Sequence, residues 1–363
     1  MSDVSGQRQG REDRLRVRRQ ERPSASALRT VVPPWAASRL LVLVVALLAV
    51  ATGPGRPARA LSGWDGAWYA DIAREGYGFS HGGKTPHPFF PLLPLALRLG
   101  STVGLPPWLA GVLLSNAALL VGLLGLHRLV SRRFGDGPAR LAVWALAFFP
   151  GAAPLSMVYP EATMLALATW TFAFAEEGRT GVAGVLAALA AFARPNGAAV
   201  AISLAGGFAL ERDPVSAARV ALPAAAAVLA WMAFLGWTTG DPLAFVHAKA
   251  AWAETTIGGV LAGRDTLPKL DLGVFAVAAA TLLAAARRLP ASWLGFAALW
   301  ILPSLFLGIL GMPRYVSACF PVFAAVGLLL AGAPRAIDGA LLATGASGLA
   351  FLAWRIASGR MIP

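Results

Sequence analysis

The chain has 363 residues, of which 57% are hydrophobic and only 13% are charged. A soluble domain carries about 25% charged residues. This composition therefore excludes a soluble enzyme and, with its long apolar runs, predicts an all-α polytopic membrane protein of about 11 transmembrane helices. The net charge of +13 comes largely from arginines before Leu40, and it does not indicate a nucleic-acid partner. The single cysteine, Cys319, excludes an intramolecular disulfide and a cysteine-rich metal site.

Residues 1–37 are polar and arginine-rich and lack apolar periodicity. They predict a disordered basic tail, which is followed by a transmembrane domain over residues 38–363. The apolar run 40–51 has no clear small-residue cleavage site, so we interpret it as a retained signal anchor. The tail then stays in the cytoplasm, where anionic lipid attracts its arginines.

Arginines in the later turns indicate the orientation of the remaining runs. The segment 131–140, SRRFGDGPAR, carries three arginines and is predicted to be cytoplasmic. This assignment places loops 54–107 and 239–270 on the extracytoplasmic side of the cell membrane. The segment 89–103 is apolar but rich in proline. We interpret it as a half-helix or interfacial segment, because a span there would reverse the side of every later loop.

The stretch 61–94 is the most polar part of the first outer loop and reads LSGWDGAWYADIAREGYGFSHGGKTPHPFFPLLP. Its spacing predicts a helix over residues 66–75 with Trp68, Tyr69 and Ile72 on one face. Such an aromatic face suits a membrane surface. Asp65 stands at the helix N-terminus, where it has two compatible interpretations: an N-cap that accepts backbone amides, or a general base that takes a proton from a hydroxyl.

Further polar residues gather at the same side under this topology. Ionisable residues at helix ends in a membrane are often functional, although each has a plainer interpretation here. Glu161 suits the positive end of a helix dipole, Arg194 can extend to the interface, and Arg314 can anchor a helix end. We nevertheless predict substrate-binding roles for Trp64, Tyr69, Asp71, His87, Tyr159, Glu161, Arg194, Asn196, His247, Arg314 and Tyr315.

Arginines beside a carboxylate at a bilayer surface suit a lipid with a phosphate group. Guanidinium groups bind phosphate bidentately, and a carboxylate can deprotonate an attacking hydroxyl. The sequence has no phosphate-binding glycine loop, zinc-ligand spacing or credible serine nucleophile. Nucleotide hydrolysis and metalloprotease chemistry therefore have no support.

Several segments resemble one family of membrane enzymes. WDGAWYADIAREGY with HPFFPLLPLALRL, followed by FFPGAAPLSMVYPEATM, FARPNG, GDPLAFVHAKAAW and PRYVSACFPVF, resembles the GPI-anchor second mannosyltransferase and its bacterial relatives. These are GT-C-type integral membrane glycosyltransferases with polyprenyl-phosphate sugar donors. The resemblance implies that Asp65 is the catalytic aspartate and that Glu161, Arg194 and Arg314 contact donor or acceptor.

The resemblance also implies the partners of the protein: a polyprenyl-phosphate sugar donor, a glycolipid or glycan acceptor, and membrane lipid. Some GT-C enzymes use a divalent metal, but no cluster in this sequence demands a metal or another cofactor. Two other classes stay open. A lipid or sugar transporter or flippase would also have many helices and a charged outer cavity, and a non-catalytic subunit of a glycosylation complex would share the fold.

Overall fold

The computed structural model describes residues 25–53, 57–252, 255–266 and 268–360, and within these ranges the protein is helical without a β-strand. The α-helices are α1 Ala25–Ala51, α2 Pro57–Ser62, α3 Asp65–Glu75, α4 Leu92–Thr102, α5 Pro107–Phe134, α6 Asp136–Ala147, α7 Glu161–Glu176, α8 Thr180–Ala193, α9 Ala198–Leu210, α10 Pro214–Thr239, α11 Ala244–His247, α12 Ile257–Leu261, α13 Lys269–Ala285, α14 Ala291–Leu307, α15 Met312–Ala318, α16 Phe320–Leu330 and α17 Arg335–Ala357. Three 3₁₀ turns connect them at Pro150–Ser156, Pro195–Gly197 and Ala248–Trp252.

Many of these helices are apolar enough for a membrane. Among the described residues, four are long enough to cross it alone, and two bent helix pairs raise the number to six. Three shorter apolar helices accompany them. The polytopic all-α membrane architecture is therefore confirmed, while the number of about 11 crossings stays a prediction. Helix α4 has only 11 residues, which is too short to span a bilayer.

Helix α1 is longer than the sequence analysis predicts. It begins at Ala25 and contains Pro33 and Pro34, so residues 25–37 are helical where we predicted a disordered tail. Residues 1–24 lie outside the described part of the chain. The reason is tertiary packing: Val31 and Val42 are buried, and prolines are tolerated in membrane helices whose neighbours satisfy the backbone.

Small residues let the central helices approach one another closely. A Cβ atom on Gly125 of α5 would lie 2.4 Å from the Thr169 hydroxyl of α7, and one on Gly122 would lie 2.9 Å from Leu165. Helices in membranes associate through such small residues. Helices α5, α7, α8 and α10 consequently pack in succession around the main apolar core.

A buried arginine stabilises the sharp bend between α6 and the turn Pro150–Ser156. Arg39 of α1 is 3% exposed, and it donates to the carbonyls of Ala147 and Ala152, both at 2.9 Å, and to the Ser156 hydroxyl at 3.1 Å. The two helical segments meet at 76°. Because the carbonyls at a helix end lack intrahelical partners, the guanidinium satisfies them and holds the chain that leads into α7.

The loops 61–107 and 239–270 meet through aromatic rings. Trp68 stacks on Phe79 and Phe89 and contacts Trp252 edge to face, with 4.7 Å between those ring centroids. Tyr69 and Ile72 on the same face of α3 are buried. The predicted contact of this face with the membrane surface is therefore wrong, because the second loop supplies the apolar partner instead.

Candidate functional site

Asp65 is the first residue of α3, and the predicted helix is confirmed as Asp65–Glu75. Trp64, at the N-cap, has a left-handed φ of 58°, which turns the chain sharply before the helix. Gly66 lets α3 lie close to its neighbour, since a Cβ atom there would be 3.1 Å from the Val158 carbonyl oxygen. The N-cap interpretation of Asp65 is wrong, because Trp64 is the N-cap residue. The Asp65 carboxylate instead accepts a hydrogen bond from Arg314 Nη1 at 2.6 Å.

Two acids and two arginines alternate in one charged row. Arg314 lies between Asp65 and Glu161, with 3.4 Å from its Nε to Glu161 Oε1, and Arg194 donates to the same Glu161 oxygen. Glu161 is completely buried, whereas the Asp65 side chain is 31% exposed. Pairing of this kind is what makes buried charges tolerable.

Aromatic rings surround both guanidinium groups. Arg314 lies 5.1 Å from the Tyr159 ring and 5.4 Å from the Tyr315 ring, and Arg194 lies 5.2 Å from Tyr315. Cations over aromatic faces at this range are attracted by the ring quadrupole. The Tyr159 hydroxyl also donates to the Gly63 carbonyl at 3.2 Å, which ties the start of α7 to the chain just before Asp65.

Asp271 fixes the backbone that carries Arg314. Its Oδ1 accepts hydrogen bonds from the backbone N–H of Gly311 at 3.0 Å and of Met312 at 2.9 Å. These amides begin α15, where unpaired N–H groups favour a carboxylate. Sequence reasoning missed this residue, because its partners lie on an element about 40 positions away.

The exposed edge of the charged row opens into a cavity of about 330 Å³. Much of its wall is apolar, and both loops contribute to it, so it offers a charged end and an apolar side to one ligand. The polar wall residues are Asp65, Tyr69, Arg194, Asn196, Lys249, Ser304, Arg314 and Tyr315. The apolar wall includes Phe89, Phe245, Val246, Trp252, Trp300, Pro303 and Leu307.

The structure brings together most, but not all, of the predicted residues. Glu161 and Tyr159 lie behind the cavity wall in contact with Arg314. Four further predicted residues also lie outside the cavity wall. Asp71 instead pairs with Arg74 at 2.9 Å, His247 is exposed and pairs with Asp241 at 2.7 Å, Trp64 lines a second cavity, and His87 is half-buried.

Lys249 is a functional candidate to which the sequence analysis assigned no substrate-binding role, although it lies among the polar residues of the predicted outer loop 239–270. It lies on the turn Ala248–Trp252 and lines the cavity. Among the described residues, no carboxylate lies within 4.0 Å of its ammonium group. Lys249 also belongs to the resembling segment GDPLAFVHAKAAW, but neither the topology nor the resemblance distinguished it from the other polar residues of that loop.

Electrostatics keep Asp65 ionised. Burial alone would raise the pKa of this carboxyl, but the charge and hydrogen bond of Arg314, with Arg194 and Lys249 nearby, hold it below its usual range. Burial raises the pKa of Tyr69, so that phenol stays neutral. Within the described residues, no three His, Cys, Asp or Glu side chains are grouped to hold a metal ion.

Comparisons with solved structures identify the fold. The chain is similar to ArnT from Cupriavidus metallidurans bound to undecaprenyl phosphate, with a TM-score of 0.57 and 16% identity over 86% of this chain and 62% of that chain. It is also similar to the archaeal oligosaccharyltransferase AglB from Archaeoglobus fulgidus in complex with an inhibitory peptide and a dolichol-phosphate, with a TM-score of 0.50 and 14% identity over 91% of this chain and 55% of that chain. The chain thus spans less than two thirds of either protein. No family model and no curated protein matches the sequence. The likeness shows the fold alone: this is an all-α membrane protein of GT-C-like architecture.

Proposed function

We propose that this protein is a membrane glycosyltransferase that transfers mannose from a polyprenyl-phosphate donor to a lipid-linked or cell-envelope acceptor. The charge of the site carries the proposal. Two carboxylates, Asp65 and Glu161, face three cations, Arg194, Arg314 and Lys249, which leaves one positive charge in excess. A sugar linked to a lipid through a phosphodiester carries one negative charge, so the cavity and this donor are complementary.

The apolar wall supports the same donor class. Phe89, Val246 and Leu307 line the cavity beside the charged row, and a polyprenyl chain requires such a surface next to its phosphate. The ArnT structure was determined with undecaprenyl phosphate and the AglB structure with a dolichol-phosphate. Mannose as the sugar rests on the resemblance of the stretch around Asp65 to the mannosyltransferase family.

In the proposed reaction Asp65 is the general base. The acceptor hydroxyl oxygen forms a bond to the anomeric carbon of the sugar, and its proton passes to the Asp65 carboxylate. The bond between that carbon and the phosphate oxygen breaks, and its electron pair stays on the phosphate. Arg314 and Lys249 then stabilise the additional negative charge of the lipid phosphate.

The arginine-bearing turns support an extracytoplasmic site for this reaction, with the N-terminus in the cytoplasm. The test uses purified protein in liposomes with radiolabelled polyprenyl-phosphate mannose and a lipid extract of the cell envelope. We expect label in a new glycolipid with the wild type and far less with Asp65→Asn. Label that crosses the bilayer on its original lipid, without a new product, would refute the transferase and indicate a flippase.

A further inference from the structure

We infer that Arg314 changes partner during the reaction: it holds Asp65 before the donor binds and moves to the donor phosphate afterwards, so that Asp65 is released as a base only in the donor complex. This inference rests on the proposed function and adds to it the order in which the two substrates bind. The donor binds first, and the acceptor hydroxyl meets a free carboxylate only when the donor is in place.

The hydrogen bonds around Arg314 leave a second arrangement available. Arg314 Nη1 is bonded to Asp65, but within the described residues its buried Nε makes no hydrogen bond. The buried Oε2 of Glu161 also has no partner among these residues. A buried donor and a buried acceptor without partners are unfavourable, and these two belong to side chains only 3.4 Å apart. We expect a rotation of the guanidinium away from Asp65 to let Arg314 Nε and Glu161 Oε2 pair with each other.

The surroundings allow the side chain to move while the backbone stays fixed. Asp271 holds the first amides of α15, so Arg314 keeps its Cα position. Its guanidinium lies between the rings of Tyr159 and Tyr315, at 5.1 and 5.4 Å. An aromatic face has no directional donor or acceptor at its centre, so the cation can slide between these rings and keep its attraction to both.

The negative charge that moves during the transfer explains why Arg314 can serve both the Asp65 carboxylate and the donor phosphate. At the start Asp65 and the phosphodiester each carry one negative charge. At the end Asp65 holds the proton of the acceptor and the lipid phosphate carries the extra negative charge. A carboxylate held by Arg314 is a weak base, since that guanidinium keeps its pKa below the usual range although burial would raise it. When Arg314 moves to the phosphate, it no longer lowers the pKa of Asp65, and the carboxylate becomes a stronger base at the step in which the acceptor hydroxyl is deprotonated.

The test measures binding of a sugar-free lipid phosphodiester, undecaprenyl methyl phosphate, which stays a monoanion and has no sugar to transfer. Its dissociation constant is measured at pH 7 for the purified wild type, Asp65→Asn, Arg314→Gln and the double variant. We expect Asp65→Asn to tighten binding about tenfold, within the roughly 2- to 150-fold coupling that contacting residues show, because a neutral amide holds Arg314 more weakly than the carboxylate does. In the Arg314→Gln background the same change should matter less than about twofold.

Simple repulsion between Asp65 and the phosphate predicts a different pattern of dissociation constants among the four proteins. Without Arg314 as a screen, Asp65→Asn would tighten binding as much or more in the Arg314→Gln background, and that result would overturn the partner exchange. Unchanged or weaker binding by Asp65→Asn alone would also overturn it. If the wild type does not bind the diester at all, the proposed function fails together with this inference. Asp71→Asn is the matched control, because Asp71 pairs with Arg74 on the same helix away from the cavity, and it should bind as the wild type does.

A structure of the diester complex provides the second measurement if Arg314→Gln does not fold. The distance between Arg314 Nη1 and Asp65 Oδ2, now 2.6 Å, should exceed the roughly 4 Å limit of an ion pair. A diester in the cavity with the Asp65 pair still closed would refute the exchange and leave the proposed function standing.

Discussion

Substitution of Asp65 by asparagine separates the chemistry of this residue from its contribution to stability. Asp65 is not the N-cap residue of α3, and the hydrogen-bond partner of its carboxylate among the described residues is Arg314, so α3 should form equally well in the variant. The bond to Arg314 is 2.6 Å long, but the Asp65 side chain is 31% exposed, so solvent weakens the ion pair. Asparagine can still accept that hydrogen bond. We expect a loss of about 1 kcal/mol in the free energy of unfolding.

The expected loss of activity is much larger. Asparagine cannot take a proton at neutral pH, and removal of a general base slows reactions by about 10² to 10⁴. That range corresponds to roughly 3–5 kcal/mol in the transition-state free energy. Transfer therefore falls by far more than the change in stability can explain. The assay is radiolabelled mannose transfer at saturating donor, with thermal unfolding of the same preparations in detergent.

Asp71→Asn provides the control on the same helix, since its pair with Arg74 is exposed and we expect transfer within about twofold of the wild type. A fully active Asp65→Asn protein would refute the assignment of the base. Equal losses in both variants would show that the two carboxylates act together, which the separate ion pairs of this structure do not predict.

Three further expectations concern other parts of the molecule. Lys249→Met should raise the donor KM by about tenfold or more, because it removes one charged contact to the phosphate. The melting temperature should change little, because no ion pair to a described carboxylate is lost. An unchanged KM would exclude Lys249 from donor binding. Reporter fusions after Gly83 and Gly135 should read extracytoplasmic and cytoplasmic, and the reverse result would place the cavity on the cytoplasmic side. Arg39→Met should reduce the free energy of unfolding by about 2 kcal/mol or more, because it leaves the carbonyls at the bend without their donor; thermal unfolding equal to the wild type would contradict that role.

The sequence by itself determined the class of the fold and one local element of the site. Long apolar runs specify membrane helices because each segment must satisfy its own backbone in lipid, and this requirement does not depend on distant residues. The helix Asp65–Glu75 is also predicted by local spacing, which does not depend on distant residues either. The grouping of Asp65, Arg194 and Arg314 near one end of the bundle was also a sequence-based prediction, drawn from loop charges and from family resemblance.

Only the tertiary structure decided what these groups do to one another. Asp65 and Arg314 are 249 positions apart in the sequence, and no periodicity could show that they share a hydrogen bond or that the carboxylate does not cap its helix. The position of Lys249 in the cavity, the support of α15 by Asp271 and the burial of Arg39 depend equally on how distant helices pack. A hydrophobic pattern specifies which face of a helix is buried, whereas the partner of a buried charge depends on which other helix lies within hydrogen-bond distance.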